Sequence, residues 1–180
     1  TQTWTKENLR TTRFNDGTDI PKITDGEDWE SATTAAYCIY NNTIVADSIL
    51  TFGLLYNWYA ATDDKLAPVG WHLPTEDDWN TLITYLGGNQ SAGAKLKETG
   101  TSHWLYPNKG ATNETGFTAL PSGGRYAHIS QYLFMTQVGG FWSSTPYPYD
   151  NLAAYTYFLY SHDARMDRGN YGKQTGWSIR

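Results

Sequence analysis

The side chains able to carry reaction chemistry are few, and their spacing is poor for it. The four histidines, His72, His103, His128 and His162, are scattered, and no pair has the HExxH spacing that would put two metal ligands on one helix face. Each reads as a turn, surface or satisfied core residue. Ser143 and Ser144 follow Gly139-Gly140-Phe141-Trp142 without the GxSxG elbow that exposes a serine nucleophile, and neither GxGxxG nor a phosphate-cradling loop occurs. Cys38, the one cysteine, sits in the strand-like run Ala36-Tyr37-Cys38-Ile39-Tyr40 with no adjacent cation to make it a thiolate. Glu76, Asp77 and Asp78 fall in the first turn of a predicted helix, where the macrodipole already favours negative charge. Asn15-Asp16-Gly17-Thr18-Asp19 places oxygens at alternating positions, as calcium loops do, but lacks the distal bidentate glutamate. Asp63-Asp64 reads as a solvated turn. No cofactor is expected, with calcium at residues 15–19 the one metal considered, and no catalytic constellation emerges.

Recognition is better represented than catalysis. The chain has 28 aromatic residues in 180 (eight Trp, fourteen Tyr, six Phe), and ten of them, six Tyr, lie in residues 141–180, interleaved with twelve Ser, Thr, Asn and Asp. Tyrosine supplies rigid contact area and small polar residues supply adaptable hydrogen bonds, the vocabulary of antibody loops. The same residues also suit ordinary strand packing, because alternation buries half of any strand.

These residues must be positioned by an acidic, weakly charged chain: net charge −5, 39 % apolar, 17 % charged. That length and composition exclude disorder and suit one domain spanning 1–180. Lacking a Lys/Arg cluster, the chain is not expected to bind nucleic acid or a membrane surface, and no apolar run is long enough for a transmembrane segment. Seventeen Gly and seven Pro favour many short strands and turns over a helical bundle. Thr75 caps a helix whose Trp79, Leu82, Ile83 and Leu86 form one apolar stripe, and Gly87-Gly88 ends it. Shorter helices are predicted within 25–33, around Trp29, and over Ser91–Glu98. Thr1–Trp4, Ala36–Tyr40, Phe117–Leu120, Gly139–Ser144, Ala153–Tyr160 and Trp177–Arg180 read as extended, and Phe52–Ala61 as a buried apolar segment of either type. Three Asn-x-Ser/Thr sites, Asn41, Asn89 and Asn113, are common by chance in such a chain.

Several stretches together resemble the Fibrobacter succinogenes major paralogous domain: Trp4-x-x-Glu7-Asn8-Leu9, Ala36-Tyr37-Cys38-x-Tyr40-Asn41-Asn42, Gly53–Ala60 (GLLYNWYA), Leu66–Trp79 (LAPVGWHLPTEDDW), Leu96–Gly100, Trp104, Ala111–Pro121 and Trp142-Ser143-Ser144-Thr145. Lys173, Gly176, Ser178, Ile179 and Arg180 fit the family's ending, K-x-x-G-x-S-V-R-C, one residue short of its cysteine. The resemblance implies that Cys38 has either lost or does not show here a disulfide partner just past Arg180, that the parent protein belongs to an oxidising compartment, and that the domain is cut from a longer secreted or cell-surface bacterial protein. It also implies an α+β, C-type-lectin-like fold of short twisted antiparallel sheets, two short helices and long loops. Leu73-Pro74-Thr75-Glu76-x-x-Trp79 is similar to a motif of formylglycine-generating enzymes, whose activity needs a pair of copper-binding cysteines in the C-terminal half; this chain has no cysteine after Cys38, so the scaffold carries over and the activity does not. The Glu-Pro-Asn, Gln-Pro-Asp and Trp-Asn-Asp triplets of calcium-dependent lectins are also missing.

By analogy with related retroelement-diversified proteins, the exposed recognition set comprises Tyr147, Tyr149, Asp150, Asn151, Thr156, Phe158, Tyr160, His162, Asp163, Arg165, Asp167, Asn170 and Tyr171, with Trp142, Leu159, Trp177 and Ile179 as scaffold. The expected function is non-catalytic, adhesin-like binding of a glycan or protein ligand on another cell or surface. The competing reading is a structural or assembly module, and an enzyme of the formylglycine-generating scaffold ranks third.

Overall fold

The computed structural model describes residues 2–180 and is α+β, with short antiparallel sheets and short helices. Its organising element is a three-stranded antiparallel sheet of β5 (Val138–Pro146), β6 (Ala153–Tyr160) and β7 (Met166–Gly172), with β6 in the middle. Two smaller two-stranded pairs stand apart: β1 (Tyr37–Cys38) with β2 (Leu55–Tyr56), and β3 (Gly124–Tyr126) with β4 (Gln131–Leu133).

Both faces of the main sheet are covered. Ala154 and Phe158 of β6, with Val138 and Trp142 of β5, join a core that includes Tyr56, Trp58, Tyr126 and Trp177. On the opposite face Tyr157 and Leu159, with Phe141 and Met166, pack on Trp79, Leu82, Ile83, Trp104 and Phe117. A strand covered on both sides has no solvent-facing side, so β6 is buried from Ala153 to Leu159, Thr156 included, rather than alternately.

The helix predicted from Thr75 is α4 (Glu76–Tyr85). Thr75 Oγ1 accepts from the Asp78 amide at 3.2 Å while the Asp78 carboxylate accepts from the Thr75 amide at 2.9 Å, a reciprocal capping box. Trp79, Leu82 and Ile83 are buried, and Leu86 follows them into the same core. The helix around Trp29 is α1 (Gly26–Ser31), capped by Asp25, with the indole fully buried. The helix predicted at Ser91–Glu98 runs two residues earlier, as α5 (Asn89–Leu96), because the Lys97 amide already closes it on Gly93.

Three helices rather than two were legible, and the described residues form five: α2 (Ala46–Phe52) was missed, and α3 (Trp58–Ala61) lies, with β2, in the segment read as of either type. Nothing in α2 is fully buried, so it carries no apolar stripe, and α3 is one turn capped by Asn57. Phe117–Leu120 is not a strand: Thr118 adopts φ +54°, held by Asn113, whose side chain accepts from the Thr118 amide at 2.8 Å. Residues 2–4 of the expected Thr1–Trp4 strand are irregular, and Thr1 lies outside the described residues. The expected strand at the C-terminus is instead a mortise joint. Gly176 pairs with Arg125, Trp177 with Tyr56 and Ser178 with Phe141, so successive residues bond to three different elements. There the Trp177 indole lies flat on Gly124 and Gly140, where a Cβ would come within 2.3 Å of the ring.

Candidate functional site

Burial divides the predicted recognition set. Thr156 and Phe158 are buried and are withdrawn from it: both point from β6 into the core beneath the sheet, Phe158 with its ring 5.1 Å from Trp177. Most of the others fall at opposite ends of β6, which eight residues at about 3.3 Å rise make roughly 25 Å long. At the β5–β6 turn lie Tyr147, Tyr149, Asp150 and Asn151, all but half-buried Tyr147 exposed, with Tyr149 at 85 %. Tyr147 packs edge-on between Tyr149 (5.5 Å) and Tyr155 (5.3 Å). Exposed Asn170 of β7 pairs with Tyr155 in the same region.

At the far end Tyr160, His162, Asp163, Arg165 and Asp167 surround the β6–β7 turn. Half-buried Tyr171 stands opposite Ala154, towards the other end of β6, but on the same sheet face as Phe158, and its ring reaches this cluster, 5.7 Å from Tyr126 and 5.3 Å from Phe158. The sequence reading missed three contributors from the β3–β4 hairpin. Exposed His128 and Phe134 extend the aromatic surface over buried Tyr126, which lies 5.8 Å from Phe134 and 6.3 Å from His128. They lie outside the C-terminal forty residues, and no local signal couples them to it. The result is a continuous aromatic face, its rings edge-on over Phe158 and Trp177, fringed by Asp163, Arg165 and Asp167.

The turn that carries half of this face is anchored from below by a residue without obvious surface role. Lys97 is buried, and its ammonium donates to the carbonyls of Asp163 (2.7 Å), Tyr160 (2.9 Å) and Lys109 (3.1 Å), 5.4 Å from the Trp104 ring centre. Three acceptors match the three protons of an ammonium. Burial nevertheless pulls its pKa down to about 8. Helix α5 closes on the same turn, where the Ala94 amide donates to the Ala164 carbonyl at 2.8 Å. Gly93 permits that approach, since a Cβ there would stand 2.1 Å from the Arg165 carbonyl oxygen. Within the turn, Arg165 Nε donates to Asp163 at 2.7 Å, and this bond with the Arg165 amide lowers the Asp163 pKa to about 2. Burial pushes Tyr160 up to about 12, helped by the neighbouring Asp167 carboxylate, so the face meets a ligand with phenols rather than phenolates.

The residues weighed for chemistry are occupied elsewhere. His72 Nε2 lies 3.2 Å from the capping carboxylate of Asp78, and His103 Nδ1 lies 2.9 Å from Glu98. Cys38 is buried beside Arg125 and Tyr132, and desolvation raises its thiol to about 11. In the 15–19 loop Asp16 holds Lys65 at 2.8 Å and Asp19 holds Arg13 at 2.7 Å, so each carboxylate already faces a cationic side chain.

A second concavity lies away from the aromatic face and is lined by none of the predicted residues. It is a groove of about 1080 Å³ between the segment from Gln2 to Arg10 and the loop from Ala67 to Pro74, with Asp78, Ile179 and Arg180 at its base. Arg180 is buried there, its guanidinium stacked 4.4 Å from the Phe117 ring centre and bonded to Asn8 Oδ1 (2.8 Å) and the Thr118 carbonyl (2.9 Å).

No curated protein and no solved structure matches the chain. All of residues 1–180 match the Fibrobacter succinogenes major domain, and the chain, with the signature runs already described in their order, belongs to that family.

Proposed function

We propose that this chain is a non-catalytic ligand-binding domain of a secreted or cell-surface bacterial protein, C-type-lectin-like in fold. Its ligand is carried by another cell or surface and is recognised by the aromatic face at the β6–β7 end of the sheet. The observation that carries this reading is the placing of half-buried Tyr160 and Tyr171, Phe134 at 43 % exposure and exposed His128 and His162 on a rigid base of buried Phe158 and Trp177. Rings held on a packed base lose little freedom on binding, and polar groups at their rim suit the border of a protein contact. The 1080 Å³ groove is elsewhere, so a protein surface fits this face better than a sugar chain does.

The test is a binding screen of the purified domain on surface-protein and glycan arrays, in calcium and in EDTA. A protein ligand whose binding falls at least about tenfold in a folded Tyr160→Ala/Tyr171→Ala variant supports the reading. Loss in EDTA adds a metal requirement. Silence on both arrays, with self-association of the domain in solution, transfers the assignment to a structural or assembly module.

A further inference from the structure

We propose that the groove between the N-terminal segment and the 67–74 loop is a second, independent binding site, and that it takes an uncharged oligosaccharide. One wall of the groove carries an apolar residue in a costly place. Pro68–Trp71 forms a turn closed by the Trp71 amide donating to the Pro68 carbonyl at 2.9 Å, and its tip leaves Trp71 44 % exposed. The other seven tryptophans are buried or, for Trp4, half-buried. Trp71 thus offers the groove an indole that the fold leaves partly open to solvent. Across from it Trp4 is fixed: its ring lies 4.6 Å from Trp79, and its Nε1 donates to Gln2 Oε1 at 3.2 Å.

Charge narrows the ligand. Glu7 pairs with Arg10 at 2.6 Å, Asp78 faces His72 at 3.2 Å, and the Arg180 guanidinium is spent on Asn8 and backbone carbonyls. Among the described residues lining the groove only Lys6 is a cation with no such partner, so neither a polyanion nor a polycation finds a compensating field. Hydrogen bonding narrows it again. His72 turns Nε2 to the Asp78 carboxylate and leaves Nδ1 for a polar partner, and the Thr3 hydroxyl and Lys6 ammonium have no bond within the described chain. A purely hydrocarbon ligand would leave these groups unpaired. A neutral molecule with weakly positive C–H faces for the negative face of an indole, and hydroxyls for His72, Thr3 and Lys6, satisfies all three conditions. A saccharide is that molecule. The groove volume lies just above the ~300–1,000 Å³ typical of small-ligand sites, which suits several sugar rings in a row.

The experiment titrates the purified domain with linear hexasaccharides of glucose, mannose, xylose and N-acetylglucosamine, following tryptophan fluorescence and the indole N–H resonances by NMR. At least one of these is expected to bind saturably and to shift the Trp71 indole resonance. Trp71→Ala is expected to weaken that binding about tenfold or more, and His72→Ala several-fold, both with unchanged circular dichroism. Tyr160→Ala/Tyr171→Ala is expected to leave it within about twofold, which separates this site from the aromatic face whatever becomes of the protein-ligand reading. The proposal is overturned if no hexasaccharide shifts a groove resonance at about 10 mM. It is equally overturned if Trp71→Ala and His72→Ala bind as the parent does, or if only the tyrosine variant loses binding.

Discussion

The aromatic face and the groove present rings to solvent by opposite means. At the face, each ring that meets solvent rests on a buried one: half-buried Tyr171 on Phe158 and Trp177, and exposed Phe134 on Tyr126, which packs in turn on Trp177. The backbone beneath is paired strand, and a buried ammonium ties down the turn at its edge. At the groove, Trp71 stands at the tip of a turn, and the facing segment from Gln2 to Glu7 has no strand partner. The contrast teaches that aromatic density by itself does not mark a binding surface. The richest segment of the chain, β6, is the most deeply buried, while a single tryptophan outside it is the more conspicuous exposure.

Substitutions can separate the two regions by size of effect. Trp177→Ala should cost the most, about 3–5 kcal/mol of unfolding free energy, because the indole fills the space over Gly124 and Gly140 and supports the whole aromatic face; chemical denaturation measures it. A loss below 1 kcal/mol would mean that the face does not rest on that base. Lys97→Met comes next, at about 2–3 kcal/mol, since it strands the carbonyls of Tyr160, Asp163 and Lys109 in a buried setting. Amide exchange should accelerate selectively over residues 160–165, and uniform acceleration would argue against a local clamp. Trp71→Ala should be nearly silent, within about 0.5 kcal/mol, and a larger loss would show that the groove wall is structural after all.

The smallest effect is a titration. Because the pKa of Asp163 is depressed to about 2, its pairing with Arg165 stabilises the turn above the ordinary carboxylate range near 3.8. That contribution declines as pH falls from there and is lost on passing through about 2. NMR titration of the Asp163 carboxyl should show the low value, and Arg165→Ala should return it towards the unperturbed one. An unchanged midpoint in that variant would remove the ion pair as the cause.

Local rules carried far where neighbours in sequence do the work. The Thr75–Asp78 capping box, the Trp79–Leu86 stripe and the Asp25 cap involve residues three to seven apart, so their signals survive in a one-dimensional reading. Strand β6 was legible for the same reason, as an apolar run. Strand β7 was not: Met166-Asp167-Arg168-Gly169-Asn170-Tyr171-Gly172 has little strand propensity and is extended because β6 offers it an edge.

The sequence alone thus determined the family, the long helix, strands β5 and β6 and the tyrosine-rich region from which part of the candidate face is drawn. Tertiary structure decided which of those rings meet solvent, because covering both faces of β6 cancels the alternation that would have exposed Thr156 and Phe158. It also decided that Tyr126, His128 and Phe134 join Tyr160 and Tyr171, and that Lys97 reaches across to the turn at Asp163, more than sixty residues away. Such contacts are fixed by how the covered sheet packs against its neighbours, and nothing local in the chain encodes them.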